Sequence, residues 1–254
     1  MGAWTAAVLL AWEVAAAPLQ PSGKWTVDRS ADCALSRTFA GSAGEVTLAV
    51  TPNIAQPGGS IVVLSPGRGT YKAGMGRIAL EPGATFAIRY ARVPFPDKPF
   101  HAVTAEPDTS FWEALPTAQT FTMEAGGRES LRFAIGPTGK ALVALKQCQD
   151  DRLRLWGADP AALVPLPSTV GRYFTAATYP QVALRRGAKG RTVALLRVDR
   201  RGRVAGCTVA QSAGDADLDR ATCSIASDRM SFPADADGLE ARWAPLAVRW
   251  WTPS

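Results

Sequence analysis

Residues 191–211 read RTVALLRVDRRGRVAGCTVAQ, which is the pattern of two strands joined by a tight turn. Arg191–Asp199 alternates as a strand. Asp199-Arg200-Arg201-Gly202 is a hairpin turn with glycine at its end, and Arg203–Gln211 is the return strand. Val204 and Cys207 differ in parity along that strand, and a bulge at Ala205-Gly206 would bring both to one face. Upstream, Tyr179–Arg186 (YPQVALRR) predicts a helix opened by Pro180 and closed at Gly187. Downstream, Asp217–Met230 predicts a second helix. Leu218, Ala221, Thr222, Ile225 and Arg229 share a face, and Asp215 or Asp217 supplies the cap. Leu246, Val248 and Trp250 then alternate in a final strand. The order helix–strand–strand–helix–strand predicts an α+β domain over 170–254, with a three-stranded antiparallel sheet and two helices.

Moving toward the N-terminus, 157–169 (GADPAALVPLPST) carries three prolines and little charge, as a short semi-rigid linker does. Before it, 18–156 is a mostly-β region. Short apolar or alternating runs at Lys24–Arg29, Glu45–Thr51, Ser60–Leu64, Arg77–Leu80, Thr85–Tyr90, Thr120–Met123 and Leu131–Ile135 are separated by Gly/Pro turns, which argues a sandwich-like domain or an open barrel. Pro94, Pro96 and Pro99 mark an irregular loop. Gly136–Cys148 changes period: Ala141, Leu142, Leu145 and Cys148 recur as one helical face, aiming Cys148 inward. Leu153–Leu155 is assigned to one more strand.

The first 17 residues have the apolar run and the small-residue site (Val14-Ala15-Ala16) of an export signal, though no Lys or Arg precedes the run. A membrane anchor is the alternative, but Ala3–Ala11 is far short of the roughly 20 apolar residues that span a bilayer. The expectation is a periplasmic or envelope-associated protein. Cys33, Cys148, Cys207 and Cys223 are an even set without C-x-x-C spacing, so behind an export signal they read as disulfides. Three pairings exist. Assigning the first two cysteines to one domain and the last two to the other gives Cys33–Cys148 and Cys207–Cys223. The formal charge is +6, and much of it is local: Arg185, Arg186, Lys189, Arg191, Arg197, Arg200, Arg201 and Arg203 are opposed in that stretch only by Asp199. This reads first as the solvated face of a helix and hairpin. A surface for an acidic partner or lipid headgroups is the alternative, and export argues against nucleic acid.

No arrangement demands catalysis. The single histidine, His101, reads as a loop residue and has no G-x-S-x-G nucleophile to serve. With one histidine and bonded cysteines a metal site is implausible, and no cofactor is expected. Gly136-Pro137-Thr138-Gly139-Lys140 lacks phosphate-loop spacing, and Gly67, Gly69, Gly74 and Gly76 read as turn glycines. Asp108-Thr109-Ser110 lacks the glycine and second copy of an aspartic protease. The protein reads as a binder.

Tyr179-Pro180, Gly187, Gly190, Val198-Asp199, Gly202, Val204, Ser212-Ala213-Gly214, Leu218-Asp219 and Phe232-Pro233-Ala234 together resemble the C-terminal domain of the energy transducer TonB. The turn differs from the family's usual Ser-Ser-Gly at Ala213, and one proline follows Phe232 where two are common. The resemblance covers about a third of the chain. It implies the domain's fold and capture of a peptide segment, such as one from an outer-membrane receptor, by strand addition. It does not carry over force transduction, because a TonB has a transmembrane anchor and a long proline-rich spacer, whereas the spacer here is about a dozen residues. The expected edge is the final strand: Arg242 and Arg249 would attract an acidic peptide, Trp243 and Trp250 would cover its apolar side chains, and Leu246 and Val248 complete the strand. Pro245 must sit where no ladder bond is needed. The alternative is a structural envelope module in which the β region binds and the C-terminal domain only docks.

Overall fold

A computed structural model of the chain describes residues 17–29, 33–54, 58–126, 130–234 and 242–251. The expected signal, apart from Ala17, lies outside them. Strands β1 (Gln20–Pro21), β2 (Thr26–Asp28), β3 (Ala34–Gly41), β4 (Gly44–Pro52), β5 (Gly59–Pro66), β6 (Lys72–Glu81), β7 (Thr85–Pro94) and β8 (Phe100–Ala105) precede the short helix α1 (Thr109–Ala114). Strands β9 (Thr120–Glu124) and β10 (Ser130–Ala134) and helix α2 (Gly139–Leu155) follow. The ten strands form one antiparallel sheet in the order β1-β3-β4-β5-β8-β7-β6-β9-β10, with β2 beside β3. Its two ends meet. Leu19 N–H donates to Arg132 O (2.7 Å) and Ala134 N–H to Leu19 O (3.0 Å), around a parallel bridge between Leu19 and Phe133. The region is therefore a closed barrel and not two facing sheets. Short strands with Gly/Pro turns suit either form, and closure rests on the backbone of one residue, Leu19, that no pattern singles out.

The barrel is filled by side chains. Phe39, Phe111, Phe121 and Phe133 are fully buried, and Phe39 meets Phe133 edge-on at 4.9 Å between ring centres. Helix α2 adds Leu145 and Cys148 to this core, and a disulfide joins Cys148 to Cys33. Three strands escaped the sequence pattern, β1 because it is only two residues long and β3 and β8 because of what they pack against. In β3 the inward series Leu35, Arg37, Phe39 contains an arginine. Its guanidinium lies over the Trp25 and Phe39 rings and donates to Gly23 O (2.8 Å) and Ile135 O (2.9 Å). In β8, His101, Ala102, Val103 and Ala105 are all buried, so no alternation shows.

Three local readings are corrected. His101 is a buried strand residue and not a loop residue; its Nδ1 lies 2.9 Å from Gly67 O and holds the β5–β6 loop. Gly74 and Gly76 sit inside β6 and not in turns. A Cβ at Gly76 would stand 2.2 Å from Glu124 O and press on the Tyr90 ring, so the strand must run bare there. Leu153–Leu155 belongs to α2 and not to a strand: nothing breaks the helix before Gly157, and Leu153 continues the buried stripe of Leu145 and Gln149.

The C-terminal region comprises α3 (Gln181–Arg185), β11 (Gly190–Val198), β12 (Val204–Gln211), α4 (Ala216–Arg229) and β13 (Arg242–Trp250). Its antiparallel sheet runs β12-β11-β13. Ala194, Leu196, Val198, Ala244, Leu246, Val248 and Trp250 pack with Leu218, Ile225 and Ala226 of α4. A disulfide joins Cys207 of β12 to Cys223 of α4. Arg197 pairs with Gly206 and Val198 with Val204, which leaves Ala205 as the extra residue of a bulge, so Val204 and Cys207 both join this core. Strand β11 does not alternate as expected. Val193, Ala194, Leu195 and Leu196 are all buried, because the other face is covered too: Leu195 packs against Leu153 and Ala158, with Ile54, Trp156, Leu163 and Trp243 around them. Burial of one leucine is worth about 2–3 kcal/mol, so this second face is an energetically significant joint between the barrel's α2 end and the sheet.

Candidate functional site

The turn after β11, the partner strand of β13, sets the site's geometry. Asp199 Oδ1 accepts the N–H groups of Arg201 and Arg203 (both 2.9 Å), and Oδ2 accepts Arg203 Nε (3.0 Å). The hydrogen bonds from Arg203, backbone first, hold the Asp199 carboxyl below the ordinary aspartate range. Gly202 closes this turn with φ of +80°, and a Cβ there would stand 2.0 Å from Phe232 O. Phe232 N–H in turn donates to Gly202 O (2.8 Å), so the chain leaving α4 is tied to the hairpin. At the opposite end, Asp219 Oδ1 accepts Thr192 Oγ1–H (2.8 Å) and Ala213 N–H (2.9 Å), which fixes the Ser212-Ala213-Gly214 turn to β11. Asp215 caps α4, and Arg186 reaches both Asp215 (2.6 Å) and Asp217 (2.8 Å). The Arg186 guanidinium is the main cause holding both carboxyls below their ordinary range. Two of the eight basic residues of that stretch, Arg186 and Arg203, are thus spent on internal ion pairs.

Strand β13 lies at the sheet's edge and pairs with β11 from Gly190–Trp250 to Val198–Arg242 without a register break. Its outward groups can be assigned. Trp243 O accepts Val164 N–H at 2.9 Å, so that carbonyl points away from β11. Backbone groups alternate along a strand, so the backbone of 245, 247 and 249 faces the same way. Pro245 therefore sits where the β11 ladder needs no N–H. Val164 belongs to the 157–169 segment, which forms a parallel bridge from Leu163 to Trp243. The edge is thus already extended by a short piece of the same chain.

The six expected edge residues separate into different environments. Leu246, Val248 and Trp250 are buried against α4, and Trp250 Nε1–H donates to Thr222 Oγ1 (3.0 Å) while its ring meets Phe174 and Tyr179 edge-on. Arg242 is 7% exposed and donates to Pro233 O (2.8 Å) and Asp199 O (3.2 Å), as an internal clamp. Trp243 lies on the opposite face from Trp250, in the joint with the barrel. Arg249 is exposed and pairs with Glu106 at 3.4 Å. It stands directly opposite Arg191 across the ladder. Like charges so placed repel, and both arginines line a cleft of about 230 Å³ between sheet and barrel, with Asn53, Ser60 and Glu106. Leu163, Val164, Glu106 and Arg191 were not legible as site residues, because each reaches β13 through long-range packing that leaves no sequence signature. Among the described residues no group of three or more His, Cys, Asp and Glu side chains is gathered to hold a metal ion, and no helix is long and apolar enough to cross a membrane.

Residues 175–250 match the family model described as Gram-negative bacterial TonB protein C-terminal. No curated protein and no solved structure matches the chain.

Proposed function

We propose that the chain is an exported envelope protein whose TonB-like C-terminal domain captures an extended peptide segment along the outer edge of β13, in the manner its resemblance implies. The observation that carries this reading is the bond from Val164 N–H to Trp243 O: the edge already receives a strand-like segment through its outward backbone groups. A peptide added there takes its affinity from main-chain hydrogen bonds. Ala247 is exposed with its N–H outward, and a peptide carboxylate that takes the place of Glu106 against Arg249 would add a charged contact beside it. The partner class is a protein or peptide, an outer-membrane receptor segment being the first to test. We assign the chain binding and not catalysis, with no cofactor.

A second reading has its own observation. The Leu153–Ala158–Leu195 joint and the Arg249–Glu106 pair seat the sheet against the barrel. In that reading the C-terminal domain docks internally, and the barrel meets the partner. Substitution of Ala247 separates the two. Ala247→Pro removes an outward N–H that the β11 ladder does not use, so stability should change by less than about 1 kcal/mol. Under peptide capture, affinity for an acidic receptor peptide, measured by calorimetry on the full chain, falls about tenfold, the loss of one net hydrogen bond of about 1.4 kcal/mol. Unchanged affinity in a folded variant supports internal docking.

A further inference from the structure

The end of the barrel farthest from the C-terminal domain carries a surface that peptide capture does not use. Strand β5 runs from Gly59, in the cleft against the C-terminal sheet, to Pro66, and β8 returns from Phe100 to Glu106's side of that cleft. Beyond Pro66 and Phe100 lie the β5–β6 loop, the first half of β6, the last residues of β7 and the Pro94–Pro99 loop. Residues 67–75 are exposed throughout. Here the strands outrun the barrel's core, because the inward side of β6 at this end is Gly74 and Gly76, covered by the Tyr90 ring.

What this end presents is apolar and basic together. Tyr71 is 70% exposed and Met75 64%, with Val93 and Phe95 more than a third exposed. Ala73 and Ala91 pair between them in register, so the outward face of β6–β7 is continuous apolar surface at this point. The Phe95 and Phe100 rings meet at a tilt of 55° with centres 5.0 Å apart, which stiffens the proline loop. Around these stand Arg68, Arg89 and Lys98, while Lys72 lies on the other face of β6 and donates to Gly126 O (3.4 Å). From Pro66 to Pro99 the chain has six Lys and Arg against two acids, Glu81 and Asp97, and Glu81 is bound to Arg132 at the far end of β6. Exposed aromatic and methionine side chains ringed by bases are the composition of a surface that sits in a bilayer interface: the apolar groups enter the headgroup boundary and the cations meet lipid phosphates. Each Lys or Arg near an anionic bilayer adds to that attraction, and the attraction is screened by salt. An acidic protein partner would satisfy the bases but leave Tyr71, Met75 and Phe95 to find their own pocket.

We propose that this end of the barrel docks on an anionic phospholipid surface. The inference is independent of peptide capture. It orients the molecule, because β5 spans the barrel in 8 residues, roughly 25 Å at about 3.3 Å per residue. Barrel strands tilt by about 35–45°, so docking would hold the β13 edge roughly 20 Å from the membrane, facing the aqueous compartment.

The test is co-flotation of the chain from Ala17 onward, which keeps every described residue and omits the apolar run at 3–11, with vesicles of phosphatidylcholine alone or containing one third phosphatidylglycerol. Binding to the anionic vesicles should be at least about tenfold stronger and should collapse in high salt. The Tyr71→Ser, Met75→Ser double variant, and separately Arg68→Glu, Arg89→Glu, should lose it about tenfold with an unchanged unfolding midpoint. No flotation with anionic vesicles, equal flotation with both kinds, or flotation that survives both variants overturns the proposal. So does a dimer seen by sedimentation that dissociates on Tyr71→Ser, Met75→Ser, which would make a second copy the occupant.

Discussion

Replacing Cys33 and Cys148 together by serine should lower the stability of the barrel by about 4–5 kcal/mol, the chain-entropy value for closing a loop of 115 residues. Both sulfurs lie in the barrel core, and Cys33 is fully buried at a positive φ of 54°. At an m-value of about 2 kcal/mol/M the urea midpoint of the barrel should fall by about 2 M. The same exchange at Cys207 and Cys223, which close a 16-residue loop, should cost about 3 kcal/mol and act on the C-terminal sheet. The contrast also examines our proposal that residues 18–156 and 170–254 are separate folding units. Each pair of serines should shift the unfolding of its own unit and leave the other's midpoint within about 0.5 M. A single transition that moves as one for either pair would mean that the joint around Leu195 fuses the two, and would overturn the proposal of two units.

Trp250→Ala should unfold or severely weaken the C-terminal domain, at a cost of about 3–5 kcal/mol. The indole is 3% exposed, meets Phe174 and Tyr179 edge-on, and gives its N–H to Thr222, itself fully buried on α4. Trp250→Phe keeps most of the apolar contact and loses the hydrogen bond, so it should cost about 1–2 kcal/mol. Because this ring faces α4 and not the outer edge, the phenylalanine variant should hold an acidic peptide within about twofold of the parent. A tenfold loss of affinity with little loss of stability would show instead that the indole touches the ligand. Thermal unfolding and calorimetry on the same two variants supply both numbers.

These two results bear on what the sequence could and could not disclose. The C-terminal region was legible because its signals are local. Pro180 and Gly187 bound one helix, Asp215 caps the next, Gly202 closes a hairpin, and a parity conflict between Val204 and Cys207 pointed to the bulge at Ala205. The barrel was legible only as many short strands. Its closure through Leu19, the arginine inside β3 and the two-sided burial of β8 are properties of partners far along the chain. For the site, the edge position of β13 and the outward place of Pro245 follow the sequence expectation, but the side chains do not act as a group. Arg242 is consumed by two carbonyls, Trp250 by the α4 core and Trp243 by the joint. Alternation along β13 puts 243 and 250 on opposite faces, and counting that parity would have separated the two tryptophans beforehand. Arg191 could not have been paired with Arg249 without the register.

The account's central claim is that the outer backbone of β13 receives a peptide. Amide chemical shifts of the full chain, followed while an acidic peptide from an outer-membrane receptor's N-terminus is added, test it most directly. The account predicts saturable shifts along Trp243–Trp250, largest at Ala247 and Arg249, with Leu163 and Val164 moving as well if the peptide displaces the segment now on that edge. No shifts at millimolar peptide, or shifts confined to the basic hairpin at Asp199–Arg203, would contradict it.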